Sequence, residues 1–184
     1  SIIDLSDNGK QPMYSADGNL VLVFNGEIFN FQELREDLKQ KGHIFHSKTD
    51  SEVLIYGYKE YGYDFVKQLR GMFAFAIWDK VNDTMFIARD GFGIKPLYYT
   101  TNTTDGSLLF GSEIKSFLAH PAFIKEVNKD ALRPYLTLQY SSMGETFFKG
   151  VHKLKPAHYM VLKGNDIHTG EYWDKKFHAE NGTV

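Results

Sequence analysis

Four polar residues near the start of the chain have types and spacing suited to chemistry: Asn25, Gly26, Glu27 and Asp50. Asn25 and Gly26 close the apolar run LVLVF, residues 20–24, so a strand there would deliver a side-chain NH2 and a backbone N–H side by side. Two adjacent donors can hold a developing oxyanion. Glu27 and Asp50 are carboxylates suited to receiving an ammonium group rather than to acting as an acid and base pair. A tight turn competes with this reading, because Asn-Gly is among the commonest turn dipeptides.

The elements that must position these residues follow from periodicity. After the strand at 20–24, NFQELREDLKQKG reads as a helix: Asn30 is placed to cap it, Glu33 stands where a capping box needs it, Phe31, Leu34 and Leu38 share a face, and Gly42 follows the end. Asp50 and Ser51 offer a second cap before EVLIYGYKEYG, and DFVKQL suggests a short helical turn. MFAFAIWD and TMFIARD flank the turn KVND as a hairpin; PLYYT and LLFGS flank Asp105-Gly106 as another; HYMVL and IHTGEYW flank KGND as a last one. NKDALRPYLTLQ reads as a helix with an expected interruption near Pro134. Sheet with interspersed helices, without strict strand-helix alternation, predicts an α+β fold with antiparallel sheets.

Composition excludes several classes. The 184 residues suit one domain with a real core, rich in rings because aromatic residues make up 15%. A net charge of -2 without a Lys/Arg cluster argues against a nucleic-acid or anionic-membrane partner. No apolar run approaches the about 20 residues that cross a bilayer, and no signal-like segment is visible, so a cytoplasmic location is the default expectation. With 0 Cys there is no disulfide, thiolate metal site or cysteine nucleophile. His43 and His46, three apart in an expected extended stretch, should face opposite ways and share no metal. Arg89-Asp90 reads equally as a buried ion pair holding the next loop near the site or as a plain surface pair, and GFGIKP as a turn in which Lys95 and Pro96 are structural.

Taken together in order, VFNGEIFNFQELREDLKQKGHIFHSKTDSEVLIYGYKEYG, LRGMFAFAIWD, ARDGFGIKPLYY and FGSEIKSFL resemble the glutaminase domain of glutamine-hydrolysing asparagine synthetases, a class II glutamine amidotransferase. The likeness extends back to SIIDLSDNGKQPM and forward to PAHYMVLKG and YWD, nearly the whole chain. It implies an N-terminal-nucleophile hydrolase-like four-layer αββα sandwich of two antiparallel sheets. It also implies oxyanion donors at Asn25 and Gly26, and receivers of glutamine's α-ammonium at Glu27 and Asp50.

The family's nucleophilic Cys and its carboxylate-binding Arg have no match in the chain, so the resemblance leads us to expect a domain incomplete at its N-terminus and inactive alone. A nucleophilic role for Ser1 is the weaker alternative. Residues 1–174 are expected to form the glutamine amidotransferase domain, and 175–184 a tail toward a synthetase domain. That absent domain would use ATP and magnesium; none is expected here, nor any metal. The expected partners are glutamine and the chain's own synthetase domain, with a homodimer through an uncovered strand edge left open. A catalytically dead binding module, or an amidotransferase of the same branch with another acceptor, remain alternatives.

Overall fold

The computed structural model describes residues 10–138, 144 and 146–174, with residues 133–135, 137 and 138 described by their backbone alone. Ser1–Ile3 and the expected tail at 175–184 lie outside the described residues.

Strand β2 (Leu20–Ile28) is the axis of the fold. Its Leu20, Leu22 and Ile28 are buried on one face, and by the two-residue period Val21, Val23, Asn25 and Glu27 share the other. The short β1 (Met13–Tyr14) pairs with it on one side and β3 (Gly71–Asp79) on the other. With β4 (Thr84–Arg89), β8 (His158–Lys163) and β9 (Asp166–Glu171) these form a six-stranded sheet in the order β1-β2-β3-β4-β8-β9, antiparallel throughout. A second antiparallel sheet of order β6-β5-β7 comprises β5 (Tyr98–Thr100), β6 (Leu109–Gly111) and β7 (Val151–Lys153).

The cores separate the layers. Helix α1 (Phe31–Gln40), helix α2 (Glu52–Tyr61) and a 3-10 helix (Gly62–Gln68) cover one face of the large sheet, where Leu38, Val53, Leu54 and Phe65 meet Leu22, Phe75 and Phe86. The opposite face packs Ala74, Ala76, Ile87 and Met160 against Leu97, Leu154 and Tyr99 of the small-sheet side. Beyond the small sheet, Phe117 of the 3-10 helix Ile114–Ala119 packs with Phe123 and Val151. The result is the expected α+β arrangement of two stacked antiparallel sheets between helical layers.

All three anticipated hairpins form, each from two strand-forming runs joined by a polar turn. The first is tied by Asp79, whose carboxylate accepts the N–H groups of Val81 and Asn82, the Asn82 amide and the Tyr58 hydroxyl. Three helix expectations need correction. Ser51 occupies the N-cap of α2 but makes no side-chain cap bond, and the Asp50 carboxylate is spent on the Ile28 N–H. Asn30 occupies the N-cap of α1, but its side chain makes no cap bond. It bridges to the Gln68 carbonyl and the Arg70 N–H instead, while Glu33 faces Arg70 at 3.7 Å, so tertiary partners displace the capping box. Helix α3 (Lys129–Leu138) runs through Pro134 without interruption. Pro134 falls at the sixth residue of α3, where the proline costs a backbone hydrogen bond and not the helix. No helix among the described residues is long and apolar enough to cross a membrane.

Candidate functional site

Asn25 and Gly26 are strand residues, not a turn: both lie in register with β3, opposite Ala74 and Phe73. The turn reading fails because the apolar pattern of β2 continues past them to Ile28, which is fully buried. Gly26 has φ +149, and a Cβ there would lie 2.1 Å from the Met72 carbonyl oxygen and 2.7 Å from Phe73 Cα. Only glycine admits this approach. Gly71, in register with Ile28, is needed for the same reason, since its Cβ would meet the Glu27 carbonyl at 2.2 Å.

Backbone direction shows where Gly26 points. Residues two apart on a strand send their N–H groups to the same side. Phe24 exchanges both backbone bonds with the Gln11 side-chain amide, at 2.6 and 2.8 Å, and the Ile28 N–H donates to Asp50 Oδ2 at 2.9 Å. Gly26 lies between them, so its N–H faces the same outer edge of β2, away from β3. Across the ladder, Phe73 uses its own backbone groups on Asp90: the Asp90 N–H donates to the Phe73 carbonyl at 2.8 Å, and the Phe73 N–H to Asp90 Oδ2 at 3.3 Å.

The Asn25 side chain emerges on the inter-sheet face, and its Nδ2 donates to Ser112 Oγ, just after β6, at 3.0 Å. One amide proton is thereby held, and the amide carries a second. Beside it a cavity of about 370 Å³ opens between the sheets, lined among others by Val23, Asn25, Ala74, Leu97 and Ser112.

Asp50 is 5% exposed, directly before the first turn of α2. Burial raises its pKa from 3.8; the Ile28 N–H opposes this shift, and the charge of Glu27 adds to it. The two carboxylates are therefore close enough to feel each other across the end of β2, and a cation set between them would relieve both burial and repulsion. The surrounding Thr49, Ser51 and Glu52 are buried too, an uncommon polar run that the fold must satisfy. Arg35 donates to the Ser47 and Thr49 carbonyls, and Glu52 accepts from the His46 and Ser47 N–H groups.

Arg89 and Asp90 are 3% and 0% exposed, so both are buried, but their side chains bond to backbone groups rather than form the expected ion pair with each other. They hold the loop through its backbone: Arg89 donates to the carbonyls of Gly93, Lys95 and Leu154, and Asp90 accepts from the N–H groups of Phe92, Ile94 and Lys95. GFGIKP is accordingly a fastened turn. His43 bonds Glu60 at 3.0 Å and packs on Tyr56, so it stabilises the helix pair.

All four anticipated residues thus gather at one end of β2. Gln11, Gly71, Ser112, Arg35 and Glu52, which support them, were not anticipated. Ser112 and Gln11 carried no local signal, whereas the polar run from Thr49 to Glu52 ahead of an apolar helix was a visible one.

Comparison with known proteins adds the family. Residues 1–173 match the glutamine amidotransferase domain. Asparagine synthetase [glutamine-hydrolyzing] 3 of Bacillus subtilis is 38% identical over 95% of this chain and 28% of its own length. Asparagine synthetase [glutamine-hydrolyzing] 2 of that species is 41% identical over 94% of this chain and 23% of its own. Amidase chyE of Penicillium rubens is 38% identical over 96% and 25%. The chain therefore spans about a quarter of these relatives. Among solved structures, the glutamine phosphoribosylpyrophosphate amidotransferase from B. subtilis superposes with a TM-score of 0.64 over 92% of this chain and 33% of its own, at 19% identity.

Proposed function

Because the chain belongs to the glutamine amidotransferase domain family, we propose that it binds glutamine and supplies ammonia within a longer, ATP-dependent protein that makes asparagine from aspartate. The observation that carries this reading is the pairing of two unlike halves at one strand end: amide donors at Asn25 and Gly26, and carboxylates at Glu27 and Asp50. Glutamine needs both halves. Its α-ammonium is a cation for Glu27 and Asp50, and its side-chain carbonyl becomes an oxyanion when a nucleophile adds to it. Collapse of that tetrahedral adduct expels ammonia and leaves an acyl group for water to remove.

The attacking thiol of this chemistry has no counterpart in a sequence with 0 Cys. Ammonia release by the chain alone is therefore not expected, and release that disappears in Ser1→Ala would overturn that expectation. ATP and magnesium belong to the partner synthetase domain on this reading, and the site here requires neither.

The test is made in the longer protein. Asn25→Ala should slow glutamine hydrolysis by about 10² to 10³ while sparing synthesis driven by added ammonia. Equal loss of both activities would remove Asn25 from the oxyanion role.

A further inference from the structure

Asp50 is a short side chain on an irregular segment between two helices, yet it must hold a fixed position against the Ile28 N–H. The loop itself supplies no ladder to hold it there, so other groups must.

Two charged side chains grip the backbone of the segment that leads into Asp50. Glu52 is 6% exposed, and its carboxylate accepts the His46 N–H at 2.8 Å, the Ser47 N–H at 2.8 Å and the Ser47 hydroxyl at 2.6 Å. From α1, Arg35 donates to the Ser47 carbonyl at 2.7 Å and to the Thr49 carbonyl at 2.6 Å. Ser47 is thus held by its N–H from one side and its carbonyl from the other. Thr49, whose carbonyl Arg35 holds, directly precedes Asp50. The Arg35 guanidinium lies 4.7 Å from the centre of the Phe45 ring, and its Nε is buried without a hydrogen-bond partner among the described residues. A buried donor left unsatisfied costs stability, so this placement is retained for the two carbonyls its fork reaches.

We infer that Glu52 and Arg35 are positioning residues for substrate binding: together they fix the segment 46–50 so that Asp50 meets the Ile28 N–H and presents its carboxylate to the substrate ammonium. This rests on the reading of Asp50 as an ammonium receiver. Neither residue touches substrate; each acts through Asp50. Substitution of Glu52 by Gln keeps the shape but turns one acceptor into a donor facing an N–H group. The segment must then shift, and a misplaced binding group loses affinity steeply.

The test uses this chain with L-glutamine as probe, titrated by calorimetry well below the unfolding midpoint, and follows the Asp50 carboxyl through its pH titration by NMR. Glu52→Gln should weaken glutamine binding by about tenfold and move the Asp50 titration, while Glu36→Gln, at an exposed pair with Lys39, should change neither. A purely structural role would lower the melting point and leave both readouts of the folded protein as they were; that result overturns the proposal. Should Glu52→Gln not fold, Arg35→Lys, which keeps the charge and loses the fork, carries the same two readouts. Equal binding by the wild type and Asp50→Asn overturns the ammonium reading, and no binding by the wild type removes the binding readout from this chain, which has no match for the family's carboxylate-binding Arg. The positioning of Asp50 is then judged by its titration alone, with an unmoved curve refuting it.

Discussion

Asp50 carries its charge where charge is expensive. Burial lifts its pKa above 3.8, and Glu27 lifts it further. A carboxyl whose folded-state pKa is raised contributes stability that is fully present below the unfolded value and lost as pH rises through the folded one. At neutral pH the ionised group therefore strains the unliganded fold. Asp50→Asn keeps an oxygen to accept the Ile28 N–H and discards the charge. It should raise the melting point at pH 7, lose that advantage near about pH 3 where Asp50 is neutral anyway, and abolish glutamine binding. Thermal melts at the two pH values with a glutamine titration check it; a lower melting point at pH 7 would contradict the cost. In the wild type, binding should tighten as pH rises through the Asp50 titration, since an ammonium prefers the ionised form. At this scale the sequence pointed to four residues that the fold brings to one strand end, although Asn25-Gly26 read equally well as a turn until the strand was seen to continue to Ile28. It could not reveal Ser112, which reaches Asn25 from 87 positions away.

The strand pair β2–β3 shows what an element must do to build such a site. Gly26 and Gly71 let the two backbones close tightly at the site end, and Gly26 in addition holds φ +149. Gly18 also has positive φ, at +70, but has nothing within 4 Å of its missing Cβ. The two positions separate conformational strain from steric conflict. Gly18→Ala should cost about 1 kcal/mol, the strain alone. Gly26→Ala adds overlap with the Met72 carbonyl and should cost about 3 kcal/mol or more, measured by denaturant unfolding. Comparable losses at both would mean that β2 and β3 can part without penalty. The elements themselves were legible wherever local pattern and tertiary role agree, as in the three hairpins and the amphipathic α1. The capping bonds were not legible, although the start of α1 was, because Asn30 and Glu33 spend their side chains on Gln68 and Arg70, partners that sequence proximity cannot suggest.

At the scale of the whole molecule, one face is more apolar than an isolated domain needs. Phe29, Phe92, Ile94 and Trp173 are 62%, 67%, 59% and 41% exposed, around a cavity of about 500 Å³ with Lys67 and Arg70 at its border. The patch is braced from below: Phe92 packs edge-on against Trp173 at 5.3 Å, and the loop beneath is fastened by Arg89 and Asp90. It borders the site as well, since Phe29 follows Ile28, whose N–H Asp50 holds. Contiguous exposed rings of this kind mark surfaces meant to be covered. On the proposed function the covering partner is the synthetase domain. The double substitution Phe29→Ser, Phe92→Ser should leave the stability of this chain within about 1 kcal/mol, because both rings are already in water. It should reduce binding of an apolar dye and any concentration-dependent self-association. In the longer protein, the same pair should lower the asparagine formed per glutamine hydrolysed, with glutamine hydrolysis itself preserved. An unchanged ratio would show that this face is not the junction, whatever the dye reports.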